Sequence, residues 1–296
     1  MKQYIRQLYY LFALIFSKIV LVLPYRLAVG LGRIIGSLAY FLVKQARLTV
    51  IKNLEKSFPE KTAREIRSIA LDTFRNQGKN LFELFSFPKL KESDIKRLVK
   101  VLNPQVMEKA LSVKKGVLIA SAHCGNWELM GAALSASGFP INVIARRIYI
   151  EGLNRMLVGF RNSKGVRVIL RSGQESAREI LRSLRHNEAI GMLIDQDTAV
   201  PGVFVDFFND KAWTPSGLAT LALRTGAQVI LAFDIRLEDD RHEVLLSGPL
   251  SMRVTGDNEQ DILFNTQLIT KEIEQHIRKY PSQWVWMHNR WKTRPS

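Results

Sequence analysis

Apolar residues dominate the beginning of the chain. Residues 8–16 are uninterrupted, Ser17 and Lys18 follow, and the apolar pattern resumes over residues 19–23. A helix that crosses a bilayer needs about 20 predominantly apolar residues, so this stretch only just reaches the required length. A second apolar segment, residues 27–43, reads as an interfacial or core-packed helix. We predict that residues 1–45 form a membrane anchor that spans the bilayer or lies in its interface. The alternative is a buried helical hairpin of a soluble protein.

Beyond residue 45 the pattern changes to alternating helices and strands. Thr62 and Glu65 form a capping box that predicts a helix from there to about Phe85. Thr214 supplies a cap, and Pro215 a first-turn proline, for a later helix. The short apolar runs predict strands over residues 116–120, 141–145, 166–170, 189–194, 228–236 and 243–246. Amphipathic stretches predict helices over residues 95–101, 128–137, 153–164, 175–185, 214–225 and 260–279. Residues 46–296 are therefore expected to form one α/β domain, with a mostly parallel central sheet flanked by helices.

The charge of the chain indicates which class of partner it binds. The formal net charge is +16, and no acidic residue occurs before Glu55. Such an excess indicates an acidic partner, which could be a nucleic acid, an anionic membrane surface or an acidic carrier protein. If the first helix spans a membrane, more Lys and Arg follow it than precede it, which favours a cytoplasmic position for the rest of the chain. The single cysteine, Cys124, excludes an internal disulfide and a zinc site made of cysteines.

The segment 116–128 carries the candidate chemistry. A predicted strand leads into a polar turn that contains His123, and the next helix begins with Glu128 in its first turn. Ligands of open α/β sheets bind at the carboxyl ends of the strands. Gly125 lets the chain fold back, so that the Glu128 carboxylate could reach the His123 imidazole. A histidine oriented by a carboxylate is a general base that can deprotonate a hydroxyl for attack on an acyl thioester.

Two plainer readings compete with this one. A histidine and a glutamate five residues apart are common, and taken alone they are more often structural than catalytic. Cys124 is a possible nucleophile beside His123, but adjacent residues rarely present their side chains to each other. A small buried thiol is the preferred interpretation of Cys124.

Several motifs in order resemble the bacterial lipid A biosynthesis acyltransferases, within the wider lysophospholipid acyltransferase superfamily. The signature of that family is a histidine, four residues and then an aspartate or glutamate (HX4E in this chain), which His123 and Glu128 match. Further similar blocks are residues 143–146, ending in Arg146; Asp195-Gln-Asp197 with residues 205–208; residues 214–227; and residues 283–295. The chain departs from the family pattern at Ile150 and Asn209, where the family often has Asn and Gly. Both departures concern the choice of substrate.

The resemblance implies an O-acyltransferase of the bacterial inner membrane with its catalytic domain on the cytoplasmic face. A fatty acyl chain would move from acyl-carrier protein, or less favoured from coenzyme A, to a hydroxyl of a lipid A precursor or related lipid. His123 and Glu128 would be the catalytic dyad, with no metal and no cofactor beyond the thioester co-substrate. Arg146, Asp195, Asp197 and Asn126 are the expected substrate-binding or oxyanion residues. The expected partners are anionic membrane lipids, acyl-carrier protein and a lipid A precursor, with no nucleic acid.

Other functions stay open at this point. The acceptor could be a lysophospholipid or another glycolipid. A metal-dependent hydrolase could use His123, Glu128, Asp195 and Asp197, although the chain lacks a spacing of two histidines one helical turn apart. The +16 charge also fits a non-enzymatic membrane-binding or nucleic-acid-binding protein. Three tryptophans near the end of the chain fit either interfacial anchoring or core packing: Trp284, Trp286 and Trp291.

Overall fold

The computed structural model describes residues 2–171 and 173–295, and an α/β sheet forms the centre of this part. The α-helices are α1 Lys2–Val22, α2 Tyr25–Leu42, α3 Lys44–Ser57, α4 Ala63–Ser86, α5 Glu92–Leu98, α6 Gln105–Ser112, α7 Trp127–Ala136, α8 Glu151–Asn162, α9 Gln174–Arg185, α10 Gly217–Thr225 and α11 Asn258–Lys279. The strands are β1 Val99–Leu102, β2 Val117–Ser121, β3 Ile141–Ala145, β4 Arg167–Leu170, β5 Ala189–Leu193, β6 Gly202–Phe207, β7 Asp210–Pro215, β8 Gln228–Arg236 and β9 His242–Ser247.

The central sheet has seven strands in the order β1-β9-β8-β2-β5-β3-β4. The pairs β8–β2, β2–β5, β5–β3 and β3–β4 are parallel, and β1–β9 is parallel as well. Only the β8–β9 pair is antiparallel among the pairs of this sheet, so β9 and β1 run opposite to the other five strands. The predicted mostly parallel α/β sheet flanked by helices is therefore confirmed.

Two local predictions are wrong. Residues 99–102 form the edge strand β1, which pairs with β9, although the sequence was read as a helix to residue 101. Thr214 and Pro215 end strand β7 in a hairpin with β6, and the next helix begins at Gly217. The capping box at Thr62 and Glu65 is confirmed by reciprocal hydrogen bonds.

The N-terminal helices pack on the long helix α4. Phe16 of α1 contacts the rings of Phe82 and Phe85 edge-on, at centroid distances of 5.0 and 4.9 Å. Helices α2 and α4 approach so closely that a Cβ atom on Gly36 would lie 2.3 Å from the carbonyl oxygen of Phe74. Glycine is therefore required at this crossing, because a larger residue would force the two backbones apart.

One helical segment among the described residues, Tyr4–Val22, has the length and apolar composition of a membrane span, and 11% of it is buried. Its exposed apolar side chains include Leu8, Phe12 and Ile15. The bent pair Tyr25–Leu42 and Lys44–Ser57 passes the same test when taken together. Trp284, Trp286 and Trp291 are buried in the core, which decides between the two readings of these tryptophans.

Candidate active site

The turn between β2 and α7 lies at the carboxyl end of the central strand. All five residues of β2 are buried, and the chain leaves the sheet after Ser121. Gly125 adopts a φ of +56°, and a Cβ atom there would lie 2.2 Å from the carbonyl oxygen of Asp234. Only glycine fits this position without displacing β8. The expected backward fold of the chain at Gly125 is present, and it brings the turn against β8.

His123 pairs with Asp195 rather than with Glu128. Strands β2 and β5 are parallel neighbours with Ser121 opposite Leu193, so the residues two positions further along each strand meet above the sheet edge. The Nδ1 atom of His123 lies 2.9 Å from Oδ1 of Asp195, and the His123 backbone N–H donates to Oδ2 at 2.9 Å. The indole N–H of Trp284 donates to the same Oδ2 at 2.7 Å.

The surroundings of Asp195 keep its carboxylate ionised. Its side chain is fully buried, which by itself would raise its pKa, while the His123 side chain keeps 23% of its surface exposed. The charge of His123 and the hydrogen bonds from His123 and Trp284 outweigh burial, and they lower the pKa of Asp195 to about 2. An ionised Asp195 accepts the Nδ1 proton of His123, so Nε2 is left as the basic nitrogen of the ring.

Glu128 is held by an arginine from a different helix. Nε and one terminal nitrogen of Arg161 donate to the two carboxylate oxygens of Glu128 at 2.8 and 2.6 Å. Both side chains are largely buried, with 12% of Glu128 and 19% of Arg161 exposed. The expectation that the Glu128 carboxylate orients the His123 imidazole is therefore corrected, because its two oxygens face Arg161. A bidentate arginine fixes a carboxylate more rigidly than an imidazole could.

A large apolar cavity begins at these residues. Its volume is about 950 Å³, and His123, Glu128 and Arg161 are all in its wall. The apolar part of the wall comes from the sheet and from α7, α8, α9 and α10, and it includes Ile119, Leu134, Ile141, Val143, Leu157, Val158, Leu170, Ile180 and Leu221. A cavity of this size and character suits an extended apolar ligand that presents a polar end to the turn between β2 and α7.

Exposed arginines also line this cavity. Arg146 and Arg171 follow the neighbouring strands β3 and β4, and the backbone N–H of Arg171 donates to the carbonyl oxygen of Ala145 at 3.0 Å. Arg146 donates to the hydroxyl of Tyr149 at 2.8 Å. A third exposed arginine of the cavity wall, Arg224, lies in the last turn of α10. Anionic groups of a substrate would find several guanidinium groups here.

Two of the expected substrate-binding residues have their polar atoms engaged within the protein. Asn126 is buried and accepts the backbone N–H groups of Glu128 and Leu129, both at 3.1 Å, as the cap of α7. Asp197 is buried and accepts the backbone N–H and the hydroxyl of Thr293 at 2.8 and 3.1 Å. These contacts hold both side chains within the protein, and neither residue is in the wall of the large cavity, so their expected substrate contacts stay predictions.

Cys124 is fully buried beside Trp284, with which it forms an isolated antiparallel bridge. Burial, and then the charges of Asp195 and Asp234, raise the pKa of its thiol well above the ordinary value. A thiolate nucleophile is therefore disfavoured at this position. The segment around Trp284 also supports the turn, because the Gly125 N–H donates to Gln283 O at 2.9 Å and the Val285 N–H donates to His123 O at 3.2 Å.

The metal-dependent alternative receives no geometric support. The carboxylates that it invokes are engaged by Arg161 at Glu128, by His123 and Trp284 at Asp195, and by Thr293 at Asp197. Within residues 2–171 and 173–295, no group of three or more potential ligands among His, Cys, Asp and Glu is arranged to hold a metal ion.

Sequence reasoning missed the roles of three residues. The sequence predicts a substrate contact for Asp195, and it predicts no contact of Trp284 or Arg161 with the dyad. The sequence signal for Asp195 was its place just after a strand, which becomes informative once β5 is known to neighbour β2. The contacts of Arg161 and Trp284 are long-range and left no local signal.

Comparison with known proteins points to one family. The family model of the bacterial lipid A biosynthesis acyltransferases matches residues 2–293. The lipid A biosynthesis palmitoleoyltransferase of Escherichia coli is 26% identical over 282 residues, which cover 92% of this chain and 87% of the relative. The lipid A biosynthesis lauroyltransferase of the same organism is 25% identical, over 94% of this chain and 89% of the relative. A phosphatidylinositol mannoside acyltransferase of Mycolicibacterium smegmatis is 28% identical, over 71% of this chain and 67% of the relative.

Proposed function

The chain belongs to the bacterial lipid A biosynthesis acyltransferase family, and from that premise we propose that it moves a fatty acyl chain from a thioester to a hydroxyl of a lipid A precursor. The observation that carries this proposal is the position of the His123–Asp195 pair at the mouth of a large apolar cavity. Such an arrangement places a general base beside a space that fits an acyl chain.

His123 acts as the general base in the proposed mechanism. Asp195 holds the Nδ1–H of the ring, so that Nε2 takes the proton of the acceptor hydroxyl while its oxygen attacks the thioester carbonyl. The carbonyl π electrons move to the oxygen and form a tetrahedral oxyanion. When this intermediate collapses, the carbon–sulfur bond breaks, and the imidazolium returns the proton to the departing thiolate. Asp195 stabilises the imidazolium and stays ionised throughout.

Glu128 acts through Arg161 in this scheme. Its carboxylate binds Nε and one terminal nitrogen of the guanidinium, and no carboxylate among the residues that the structure describes binds the other terminal nitrogen. Because Arg161 is in the cavity wall, that free edge is available to donate to the oxyanion or to a phosphate of a substrate. Glu128 is thus proposed as a positioning residue in the cavity wall, which fixes Arg161. Arg146 is a further proposed donor to substrate anions.

The acyl donor is proposed to be acyl-carrier protein, with coenzyme A as the alternative. Both carry the acyl chain on a phosphopantetheine arm, and the exposed Arg146, Arg171 and Arg224 offer charge for its phosphate. The net charge of +16 favours the more acidic partner of the two, which is the carrier protein. No metal and no redox cofactor is required by the mechanism.

We propose that residues 1–45 anchor the enzyme in the bacterial inner membrane, with residues 46–296 on its cytoplasmic face. The exposed apolar side chains of α1 and the absence of acidic residues before Glu55 support contact with an anionic bilayer. A lipid acceptor would then enter the cavity from the membrane, and the thioester would enter from the cytoplasm.

A second acceptor class is supported by one specific observation. One relative is named for transfer to phosphatidylinositol mannoside, a glycolipid other than lipid A. The acceptor of this chain is therefore proposed to be a lipid A precursor first, and another glycolipid or a lysophospholipid second.

The test is an acyl-transfer assay with the full chain in detergent micelles. Acyl-carrier-protein and coenzyme A thioesters of the same acyl chain are each offered with a lipid A precursor, a mannosylated phosphatidylinositol or a lysophospholipid, and products are identified by mass spectrometry. The expected result is transfer to the lipid A precursor, fastest from the carrier protein and lost in His123→Ala. Equal transfer by His123→Ala would overturn the mechanism, and thioester hydrolysis without an acylated lipid would overturn the function.

A further inference from the structure

Four charged side chains are buried together behind the catalytic turn, on the side away from the cavity. This buried charge cluster consists of Glu83 on α4, Asp234 and Arg236 on β8, and His242 on β9. Arg236 donates to both oxygens of Glu83 at 2.7 and 2.6 Å. The imidazole of His242 lies between the two acids, with Nδ1 2.8 Å from Asp234 and Nε2 3.3 Å from Glu83.

The positive and negative charges of the cluster are equal in number, and its side chains are almost completely buried. The side chains of Glu83 and His242 are completely buried, and 4% of the Arg236 side chain is exposed. The neighbouring carboxylates outweigh the effect of burial and raise the pKa of His242 to about 9, so both ring nitrogens carry a proton at neutral pH. Two cations therefore face two carboxylates inside the protein, and none of these four residues is in the wall of the large cavity.

Both carboxylates of the cluster bind the catalytic turn directly. Asp234 accepts the backbone N–H of Asn126 at 2.6 Å, and Glu83 accepts the side-chain amide of Asn126 at 2.6 Å. A third bond passes through Asn80, which accepts from Arg236 at 2.6 Å and donates to the carbonyl oxygen of Gly125 at 2.6 Å. The cluster thus fixes two consecutive residues of the turn from several directions.

Asn126 connects the buried charge cluster to the helix that carries Glu128. Its side-chain oxygen caps α7 by accepting the N–H groups of Glu128 and Leu129, while its amide group binds Glu83. Glu128 lies in the first turn of the capped helix, and His123 lies three residues before Asn126 in the loop between β2 and α7. A shift of Asn126 would therefore move Glu128, and with it the pairing to Arg161, relative to His123.

Stability alone is a poor reason for such a cluster. Replacing a buried ion-pair group by packed apolar side chains is often neutral or stabilising, so these charges add little that an apolar core would lack. The charged cluster instead fixes the position of the turn, because each short hydrogen bond holds one atom of the turn in place. Catalysis depends on such placement, since a displacement of about 1 Å can cost about a hundredfold in rate.

We propose that Glu83, Asp234, Arg236 and His242 are positioning residues, which hold the turn 123–128 in the geometry that acyl transfer requires. The expected effect on kcat rests on the proposed function. How firmly the cluster holds the turn can be measured without any substrate. Asn126 is the point where the cluster meets the turn, so its amide group is the part to remove.

The decisive variant is Asn126→Ser. Serine caps a helix about as well as asparagine does, so α7 keeps its cap while the donor to Glu83 is lost. The matched control is Asn142→Ser, because Asn142 is another buried asparagine, whose amide donates to Glu188 at 2.9 Å at the amino ends of the strands. Both variants lose one amide–carboxylate bond, but only the bond of Asn126 holds the turn 123–128.

Two measurements are made on the full chain in micelles. Hydrogen exchange of residues 123–129 should rise about fivefold in Asn126→Ser, the factor that corresponds to about 1 kcal/mol for one lost hydrogen bond. It should not rise in Asn142→Ser. In the transfer assay, kcat should fall between about tenfold and a hundredfold in Asn126→Ser with KM for the thioester within about twofold, while Asn142→Ser keeps the wild-type kcat.

Unchanged exchange in the turn of Asn126→Ser overturns the proposal, and so does a wild-type kcat in a variant whose turn exchanges faster. If wild-type protein transfers no acyl chain, the proposed function fails, whereas the exchange data still decide whether the cluster holds the turn. Should Asn126→Ser not fold, Glu83→Gln replaces it, because the glutamine keeps the shape while the ion pair with Arg236 is lost.

Discussion

The Nδ1 atom of His123 lies 2.9 Å from Oδ1 of Asp195, although 72 positions separate the two residues in the chain. The parallel register of β2 and β5 brings them together, because Ser121 and Leu193 are paired and each residue follows its strand by the same distance. The proposed base therefore depends on the register of the sheet, because the short motif at residues 123–128 supplies His123 but not Asp195.

Asp195→Asn should reduce kcat by between about a hundredfold and ten-thousandfold, because an amide no longer stabilises the imidazolium and can favour the wrong tautomer of His123. KM for the thioester should change little, since Asp195 is buried behind the ring. Steady-state kinetics in micelles measure both constants. Asp197→Asn is the control, because Asp197 binds Thr293 outside the large cavity, and its kcat should stay within a few-fold of wild type. A fully active Asp195→Asn would remove Asp195 from the mechanism.

Glu128→Ala and Arg161→Ala should each lower kcat by about a hundredfold or more, and the double variant should lose no more than either single variant. The two side chains form one bidentate unit, and residues that act as a unit are strongly non-additive. The measurement is a double-mutant cycle on kcat/KM.

The exposed pair of Arg147 and Glu151 provides the control for this cycle, because Arg147→Ala removes a comparable ion pair at the surface and should leave the rate nearly unchanged. An inactive Glu128→Ala beside a fully active Arg161→Ala would show that Glu128 acts independently of Arg161, which would restore the direct partnership with His123.

Gly131→Leu should shorten the acyl chains that the enzyme accepts. Gly131 lies on α7 in the wall of the large cavity, and a Cβ atom there would meet Val166 at an ordinary 3.6 Å. Alanine therefore fits, whereas the longer leucine side chain would occupy cavity space. The measurement is the relative kcat/KM for thioesters from 10 to 16 carbons, a range of about six methylenes at about 0.8 kcal/mol each.

The matched control for the cavity experiment is Gly159→Leu. A Cβ atom at Gly159 meets nothing within 4 Å, and this glycine is not in the cavity wall, so the same substitution should not alter chain-length preference. An unchanged preference in Gly131→Leu would mean that the acyl chain lies elsewhere.

His242 should make the free energy of unfolding depend on pH. Burial alone would lower the pKa of His242, but the charges of Asp234 and Glu83 and their hydrogen bonds to the ring outweigh it and raise this pKa to about 9. In the unfolded chain the value is about 6.5. The stabilisation is fully present below pH of about 6.5 and is lost as the pH rises through about 9.

Chemical unfolding of wild type and His242→Gln at several pH values between 6 and 9.5 checks this expectation. The stability advantage of wild type should shrink steadily over that range, and an advantage independent of pH would contradict it. His186→Gln changes an exposed histidine and should leave the unfolding free energy nearly constant.

Local sequence patterns predicted the elements that carry the site, because they depend on neighbours in the chain. Strands β2, β3, β5 and β8 fall within a residue or two of their predicted ranges, since each is a compact apolar run between turn residues. The edge strand β1 escaped prediction because its four residues gain strand character only by pairing with β9, which is distant in sequence. Pairing between segments far apart leaves little trace in either segment.

The same limit explains what was missed in the site. His123 and Glu128 were identified from one turn, and both do lie in the cavity wall. Their actual partners, Asp195 and Arg161, come from other elements, and nothing within residues 116–128 distinguishes them. The strand order determines the first pairing, and the packing of α8 against the cavity determines the second.

Trp284 donates a hydrogen bond to Asp195, and it is translated after both His123 and Asp195. Ribosomes translate α1 and α2 first, then the turn with His123, and only much later the indole that completes the hydrogen bonds of Asp195. The apolar helices therefore emerge while the base is still incomplete, and a chain stalled before residue 284 carries His123 and Glu128 without a finished site. The proposed chemistry therefore has to wait until Trp284 has been translated.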